Sequence, residues 1–301
     1  MILSALYQGR TRIPARTSSA SRPTTLELIE PLYKKAPHLT LYTPLCKVRD
    51  VLMGCNYLVS TNGRRLSSVV AYGDDSIELT WSVPERAETL RNLIVQVKNR
   101  VPTLTFLPVM ETGRTKWNEE LSLQVLGRCF RAIYEGPKPG PVSVPAGLRM
   151  LTVDPEKDLP TLADLMNSAY PSLPRFIDAE RLAVAARAPS YYADGWFFLC
   201  DETLARPIGA AVCGYCGETD EGFIDWVQVL PRFRGRGLGV ILAREAIRRL
   251  AAAGCITVSG SLDAPFAVGE LYADCGFGQF RQWSILGQPA VARAPASGAT
   301  A

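Results

Sequence analysis

The sequence predicts a two-domain α/β protein with a mixed β-sheet, and three observations lead to this fold class. The length of 301 residues corresponds to roughly two average domains. Strand-like and helix-like segments alternate along both halves of the chain. Between the halves, residues 136–141 contain three prolines and two glycines, which can continue neither a helix nor a strand. We therefore predict a first domain at 26–135, a linker at 136–147 and a second domain at 148–287.

The overall composition is that of an ordinary globular protein, with 47% apolar and 21% charged residues. No run of about 18 apolar residues occurs, so we expect no membrane-spanning helix and no membrane partner. Residues 1–25 and 288–301 have the composition of disordered tails. The first tail, rich in arginine, serine and threonine, is also typical of an organelle transit peptide. Organellar import is therefore the alternative to the cytoplasmic location that we expect.

The charge distribution gives no support for nucleic-acid binding. Residues 1–26 carry four arginines and no acidic residue; removing these from the 33 basic residues leaves 29, equal to the 29 acidic residues. The predicted domains therefore lack the excess of basic residues that nucleic-acid-binding proteins usually show. The eight cysteines are too sparse for a disulfide scaffold, so we expect reduced thiols.

The C-terminal half reads as β-α-α-β-β-β-α-β-α-β from its apolar spacing. We predict strands at 148–153, 196–200, 207–215, 223–230, 256–258 and 280–286. We predict helices at 160–169, 179–186, 238–253 and 268–274. The third of these helices is strongly amphipathic, and Gly254 ends it.

The N-terminal half reads as β-β-β-α-β-α-β, which is the tail of the order in the C-terminal half. We predict strands at 57–60, 66–72, 77–83, 104–109 and 130–134, and helices at 85–98 and 118–127. The shared order indicates a diverged internal duplication.

The most informative motif follows the strand at 223–230, which Pro231 ends. A turn with three alternate glycines comes next, and then the amphipathic helix begins. Free N–H groups and the helix dipole favour an anion at such a position, and glycines let it approach the backbone. The spacing fits neither the dinucleotide pattern G-x-G-x-x-G nor the triphosphate loop ending in G-K-[ST]. The turn therefore predicts a phosphate-binding site of another kind.

Residues 234–239 read R-x-x-G-x-G, which resembles the pyrophosphate-binding signature of the GCN5-related N-acetyltransferase (GNAT) superfamily. Residues 271–277, Leu-Tyr-Ala-Asp-Cys-Gly-Phe, resemble the L-Y-x-x-x-G-F that ends the family's last helix. The resemblance covers about 148–287. It implies a GNAT fold there, a degenerate GNAT-like domain in the first half, and an enzyme that transfers an acetyl group from acetyl-CoA to an amine by direct attack in a ternary complex.

The resemblance also implies where coenzyme A binds. The pyrophosphate would lie on the backbone of the glycine turn, and the thioester would lie near the exposed edge of the strand at 223–230. The cofactor-binding residues so implied are Val227, Gln228, Val229, Arg234, Gly235, Arg236, Gly237, Leu238 and Gly239. One position departs from the family pattern, because Pro265 stands where an asparagine often contacts coenzyme A.

Two residues are candidates for proton transfer. Tyr272 occupies the family position for the acid that protonates the leaving thiolate. Asp225 shares one predicted strand face with Val227 and Val229, so it lies either at the substrate cleft or in a structural ion pair. Glu221 and Asp220 are alternatives that we expect in a solvated turn, and ordered water could replace a base altogether.

Other chemistry has weaker support. The single histidine, His38, lies far from the motif, and no G-x-S-x-G sequence accompanies it. The Cys213-x-x-Cys216 pair lacks the second pair that a zinc site needs, so we expect no metal.

The first half carries an acidic sequence, residues 84–88, where the glycine turn would be, so we expect it to have lost coenzyme A. The acceptor amine and the oligomeric state, including a homodimer, stay open. Transfer of a longer acyl group and a non-catalytic coenzyme A sensor are the alternative functions.

Overall fold

The computed structural model describes residues 23–111, 117–137, 139–172, 175–255, 257–263 and 269–287. The two predicted tails, apart from residues 23–25, and the position of Pro265 lie outside these ranges. The helices are α1 (Thr25–Lys35), α2 (Pro37–Thr40), α3 (Leu45–Gly54), α4 (Ala87–Arg100), α5 (Trp117–Leu121), α6 (Leu159–Ala169), α7 (Ala179–Ala185), α8 (Leu238–Ala252) and α9 (Gly269–Asp274). In this part of the chain no helix is long and apolar enough to cross a membrane.

The strands are β1 (Asn56–Asn62), β2 (Arg65–Tyr72), β3 (Ile77–Ser82), β4 (Leu107–Met110), β5 (Gln124–Tyr134), β6 (Leu148–Thr152), β7 (Tyr191–Asp201), β8 (Arg206–Cys216), β9 (Glu221–Val229), β10 (Thr257–Asp263) and β11 (Phe277–Gly287). Short 3₁₀ turns at Pro84–Arg86 and Pro231–Phe233 precede α4 and α8. Each strand predicted from the sequence is present, with shifted ends.

Two parts of the N-terminal half differ from the sequence prediction. The helix expected at 118–127 ends at Leu121, because Ser122 adopts a left-handed backbone with φ of 52° and β5 begins two residues later. Helices α1 to α3 were not predicted. Helix α1 starts with a capping box in which Thr24 and Glu27 each accept the other's backbone N–H, and it contains Pro31. Its buried side, including Ile29 and Tyr33, packs on the small sheet formed by β1 to β3.

The two halves repeat one topology. In the C-terminal half, β6 to β9 form an antiparallel meander, and β9 pairs in parallel with β10 after the crossover through α8. In the N-terminal half, β1 to β3 form an antiparallel meander, and β3 meets β4 in parallel at the bridge between Ser76 and Phe106 after the crossover through α4. The common order supports the inferred duplication.

The last strands of the two halves are exchanged. Strand β5 of the N-terminal half lies between β10 and β11, and β11 lies between β5 and β4. The resulting order of the eight-stranded sheet is β4-β11-β5-β10-β9-β8-β7-β6. The sheet therefore contains strands from both sides of the predicted linker. The domain limits at 26–135 and 148–287 stay a prediction from the sequence.

A buried ion pair joins the halves at the base of β9. The Arg131 guanidinium on β5 is fully buried and donates to Glu221 at 2.8 Å and to the Ser259 hydroxyl at 3.1 Å. The Tyr33 hydroxyl of α1 donates to the same carboxylate. The expectation of a solvated Glu221 is therefore wrong, because two chain segments distant in sequence cover it. A fully paired, buried carboxylate is unsuited to serve as a catalytic base.

Candidate active site

Strand β9 carries a β-bulge at Asp225. On the β8 side, Val212 pairs with Trp226 and Cys213 pairs with Ile224. Asp225 is therefore the extra residue of the bulge and has no cross-strand partner on β8. On the other side, β9 and β10 pair only as far as Ile224 and Gly260. Beyond this point no pairing joins the described parts of the two strands, so they separate. The bulge therefore marks the closed end of a cleft whose wall is the open edge of β9.

The bulge interrupts the strand alternation from which the face of Asp225 was predicted. Ile224, Val227 and Val229 pack in the core that contains α8, whereas Trp226 packs in the core that contains α6. Ile224 and Val227 lie on the same face although they are three residues apart, because the bulge adds one residue to the strand alternation. The alternation that placed Asp225 on one face with Val227 and Val229 is therefore interrupted at Asp225 itself.

The glycine turn offers open space for a ligand. Gly235 and Gly237 both have φ of 73°, and a Cβ atom at either would meet no other atom within 4 Å. An L-residue would be strained in this left-handed backbone, and its side chain would enter the space in front of the turn. These two glycines therefore keep the approach to the backbone free.

The start of helix α8 presents unused N–H groups to that space. Gly237 is the N-cap and makes no side-chain cap hydrogen bond. Ile241 makes the first helical bond that we observe, to Gly237 O at 3.2 Å. The N–H groups of the preceding turn are thus available, and the helix dipole adds positive potential. This arrangement fits a pyrophosphate group.

The three arginines of the turn have different roles. The Arg234 Nε donates to Val229 O at 3.0 Å, and its Nη2 donates to Ala169 O, so Arg234 fastens the turn to β9 and to the end of α6. Arg232 and Arg236 place their guanidinium carbons 4.8 and 5.6 Å from the Phe233 ring centre. Both are exposed and supply positive charge beside the turn.

Gly239 and Leu238 serve packing. A Cβ atom at Gly239 would lie 2.6 Å from Leu271 Cδ1, so glycine here allows α8 and α9 to pack closely. Leu238 is 5% exposed and lies in the core beneath the helix. Their contribution to ligand binding is therefore limited to backbone groups, as predicted for the whole turn.

Tyr272 lies on α9, and its ring is buried against β10 and the start of β11. It packs edge-on against Phe277, with ring centres 5.1 Å apart, and it lies beside Gly260. Burial raises the pKa of Tyr272 well above its ordinary value, and Cys213, Tyr170 and Asp225 raise it further. Tyr272 therefore stays protonated at neutral pH, and its hydroxyl lies within electrostatic range of the bulge.

Asp225 is paired with a residue that the sequence reasoning missed. The Lys47 ammonium of α3 lies 2.5 Å from Asp225 Oδ1 and 4.7 Å from the Phe223 ring centre. The structural ion pair, which is one of the two alternatives left open for Asp225, is therefore present. No local sequence signal joins residues so far apart, and only the docking of the two halves brings them together.

Gln228 has a buried side chain whose amide nitrogen and oxygen find no partner in the described part of the chain. It lies opposite Ala210 in the antiparallel register and so faces the α6 side of the sheet. An unpaired buried amide is costly, which makes this position notable beside the cleft. The sequence had pointed only to the backbone of Gln228.

The corresponding cleft in the N-terminal half is differently lined. The Thr80 hydroxyl donates to Pro108 O at 2.6 Å and ties β3 to β4. The pocket beside them is lined by Trp81, Trp117 and Trp283. The turn before α4 holds Glu85, and the first turn of α4 holds Glu88, where the C-terminal half has glycines. The described residues of this half therefore lack the features that fit a pyrophosphate in the C-terminal half.

Residues 160–277 match the model of the acetyltransferase (GNAT) family. The C-terminal half therefore contains a GNAT domain. Members of this family use an acyl-CoA, so the domain implies acyl transfer from an acyl-CoA in general terms. No curated protein sequence matches the chain.

Solved structures show the same fold across both halves. A GCN5-related N-acetyltransferase from Sphaerobacter thermophilus is 16% identical, with a TM-score of 0.58 over 78% of this chain and 80% of that one. A tandem GNAT protein from the clavulanic acid biosynthesis pathway is 14% identical, with a TM-score of 0.52 over 77% of this chain and 82% of that one. A GNAT-family acetyltransferase from Colwellia psychrerythraea is 13% identical, with a TM-score of 0.53 over 91% of this chain and 99% of that one. At these identities the likeness shows the fold alone.

Proposed function

We propose that the C-terminal half transfers an acetyl group from acetyl-CoA to an amine by direct attack, while the N-terminal half walls the acceptor side. The observation that carries this proposal is the junction of two features on β9. The strand has an open edge beyond Ile224, and it leads directly into the glycine turn at the start of α8. A ligand with an anionic group and an extended arm would be held by both.

Coenzyme A, when bound, supplies an activated thioester. The N–H groups of residues 235–240 and the charges of Arg232 and Arg236 would hold its pyrophosphate. The free edge of β9 from Val227 to Val229 would hydrogen-bond its amide-containing arm, as one strand bonds to another. These contacts orient the thioester towards the bulge.

Asp225 and Tyr272 would move the protons. Asp225 accepts a proton from the acceptor amine, which must be neutral to attack. The buried Tyr272 hydroxyl donates to the departing sulfur. For Asp225 to act, the acceptor amine must take the place of the Lys47 ammonium that the carboxylate now binds. Trp226, stacked on Phe176 with ring centres 5.6 Å apart, provides an aromatic wall on the α6 side of the sheet.

A direct test is thiol release with acetyl-CoA and a panel of small amines, amino acids and peptides. Each acceptor is tested again with a longer acyl-CoA to identify the preferred chain length. The proposal expects release that depends on an amine and exceeds hydrolysis. Tight binding of coenzyme A without turnover of any amine would contradict the enzyme and favour a sensor. A preference for the longer acyl-CoA would contradict only the assignment of acetyl as the transferred group.

A further inference from the structure

Helix α3 of the N-terminal half docks onto the end of the C-terminal sheet that carries the bulge. Lys47 pairs with Asp225, and Arg49, two residues further along α3, pairs with Glu218 in the loop between β8 and β9. Leu45, Val48 and Leu52 on the other side of α3 are buried in the N-terminal core. Lys47 is thus held at the cleft by a helix that is anchored on both sides.

The environment of Lys47 differs from that of Lys157 and Lys34. Its side chain is 33% exposed, its ammonium bonds Asp225, and its charge lies over the Phe223 ring. Lys157 and Lys34 have side chains that are 72% and 52% exposed and pair with acids three or four residues away. Lys47 therefore brings a primary amine to the carboxylate at the bulge.

The geometry points to Lys47 Nζ as an acyl acceptor within the same chain, making it a self-acylation site. The inference rests on the proposed function, because the acyl group would come from the bound acyl-CoA. A primary amine, a carboxylate at hydrogen-bond distance and the open edge of β9 meet at one place. These are the groups that amine acylation requires.

The chemistry balances without another reactant. The Lys47 ammonium gives one proton to Asp225, and the neutral amine attacks the thioester carbonyl carbon. A nitrogen–carbon bond forms, the carbon–sulfur bond breaks, and the sulfur leaves as a thiolate that takes a proton from Tyr272. The second amine proton passes through water to Tyr272, which restores its hydroxyl, and Asp225 releases the first proton to solvent. The products are an amide at Lys47 and the free thiol of coenzyme A.

Acylation would remove the charge of Lys47 and end its ion pair with Asp225. The cleft would then lose the ammonium that competes with an external amine for the carboxylate. The amide N–H of an acetylated Lys47 could still donate to Asp225. Because this donor is neutral, it would bind the carboxylate less strongly than the ammonium does.

The experiment incubates the full chain with acetyl-CoA and maps acetylated lysines by peptide mass spectrometry. Lys47 should be labelled at least 10-fold faster than Lys157, although Lys157 is more exposed. The rate per molecule should not change with protein concentration, because donor and acceptor sites lie in one chain. Asp225→Asn should slow labelling of Lys47 by about 100-fold, the low end for proton transfer to a base. Lys47→Arg should remove this label and leave coenzyme A affinity unchanged.

A second readout needs no acetyl-CoA. In the free protein, NMR of the lysine ammonium groups should show slow hydrogen exchange at Lys47, and Asp225→Asn should make it fast. Labelling that follows exposure, with Lys157 ahead of Lys47, would overturn the inference, as would fast exchange in the unsubstituted protein. If acetyl-CoA binds and an external amine is turned over while Lys47 stays unlabelled, only this inference fails. If acetyl-CoA does not bind, the proposed function fails as well.

Discussion

Gly237→Asp tests the glycine turn by adding a negative charge where the pyrophosphate is expected. The backbone cost is small, since aspartate tolerates a φ of 73° better than most residues and no atom lies within 4 Å of the new Cβ. The new carboxylate would lie about 5 Å from a phosphate, and at an effective dielectric constant of about 20 the repulsion is about 3 kcal/mol. The lost backbone hydrogen bonds add to this.

The expected result is a Kd for coenzyme A at least about 100-fold higher, measured by titration calorimetry, since 1.4 kcal/mol is about tenfold. Gly237→Asn has the same shape without the charge, so it should lose much less affinity. Gly63→Asp is the matched control for folding, because Gly63 also has a left-handed φ, of 62°, and open space, in the turn between β1 and β2. A folded Gly237→Asp protein with unchanged affinity would refute the placement of the pyrophosphate.

Three single substitutions each remove one group with a defined environment. Tyr272→Phe should lower kcat by about 100-fold with an unchanged melting temperature and acceptor KM, because the ring keeps its packing and only the acid is lost. Burial and Arg131 lower the pKa of His38 from 6.5 in the folded protein. Because the unfolded chain therefore binds the proton at a higher pH, the free energy of unfolding falls as the pH drops below 6.5. His38→Gln should reduce this loss below pH 6.5, which denaturant unfolding at a series of pH values would measure. Glu221→Gln should lower the free energy of unfolding by about 3–5 kcal/mol, because it leaves the buried Arg131 unpaired.

Each of these substitutions has a contradicting outcome. A Tyr272→Phe protein with full kcat and a lower melting temperature would show a purely structural tyrosine. An equal pH slope in the His38→Gln and unsubstituted proteins would place the titrating group elsewhere. For Glu221, Asp164→Asn is the control, since the Asp164–Arg175 pair has side chains that are 66% and 63% exposed. Asp164→Asn should lower the free energy of unfolding by less than about 1 kcal/mol. Equal losses from the two substitutions would contradict the role of burial.

The C-terminal half was predictable because its signals are local. The turn at 234–239 and the amphipathic spacing of α8 specify a strand, a turn and a helix within one short segment. The bulge at Asp225 was not predictable, since one extra residue on a strand leaves the apolar alternation looking intact. Alternation alone therefore cannot fix the face of Asp225.

The N-terminal half shows where local reasoning ends. The capping box at Thr24 and Glu27 is visible in the sequence, but Pro31 inside the same segment argues against a helix. The exchange of β5 and β11 depends on which sheet edge each strand meets, and alternation carries no information about that. The pair of Lys47 and Asp225 joins residues 178 positions apart and exists only because the halves dock.

Hydrogen exchange with and without coenzyme A tests most directly whether the C-terminal half alone binds the cofactor. Amide groups in residues 226–230 and 235–241 should gain protection, because the open edge of β9 and the start of α8 would acquire hydrogen-bond acceptors. Residues 83–90, the matching turn of the N-terminal half, should exchange at the same rate in both samples. Protection at 83–90 with none at 235–241 would contradict the assignment of the cofactor site.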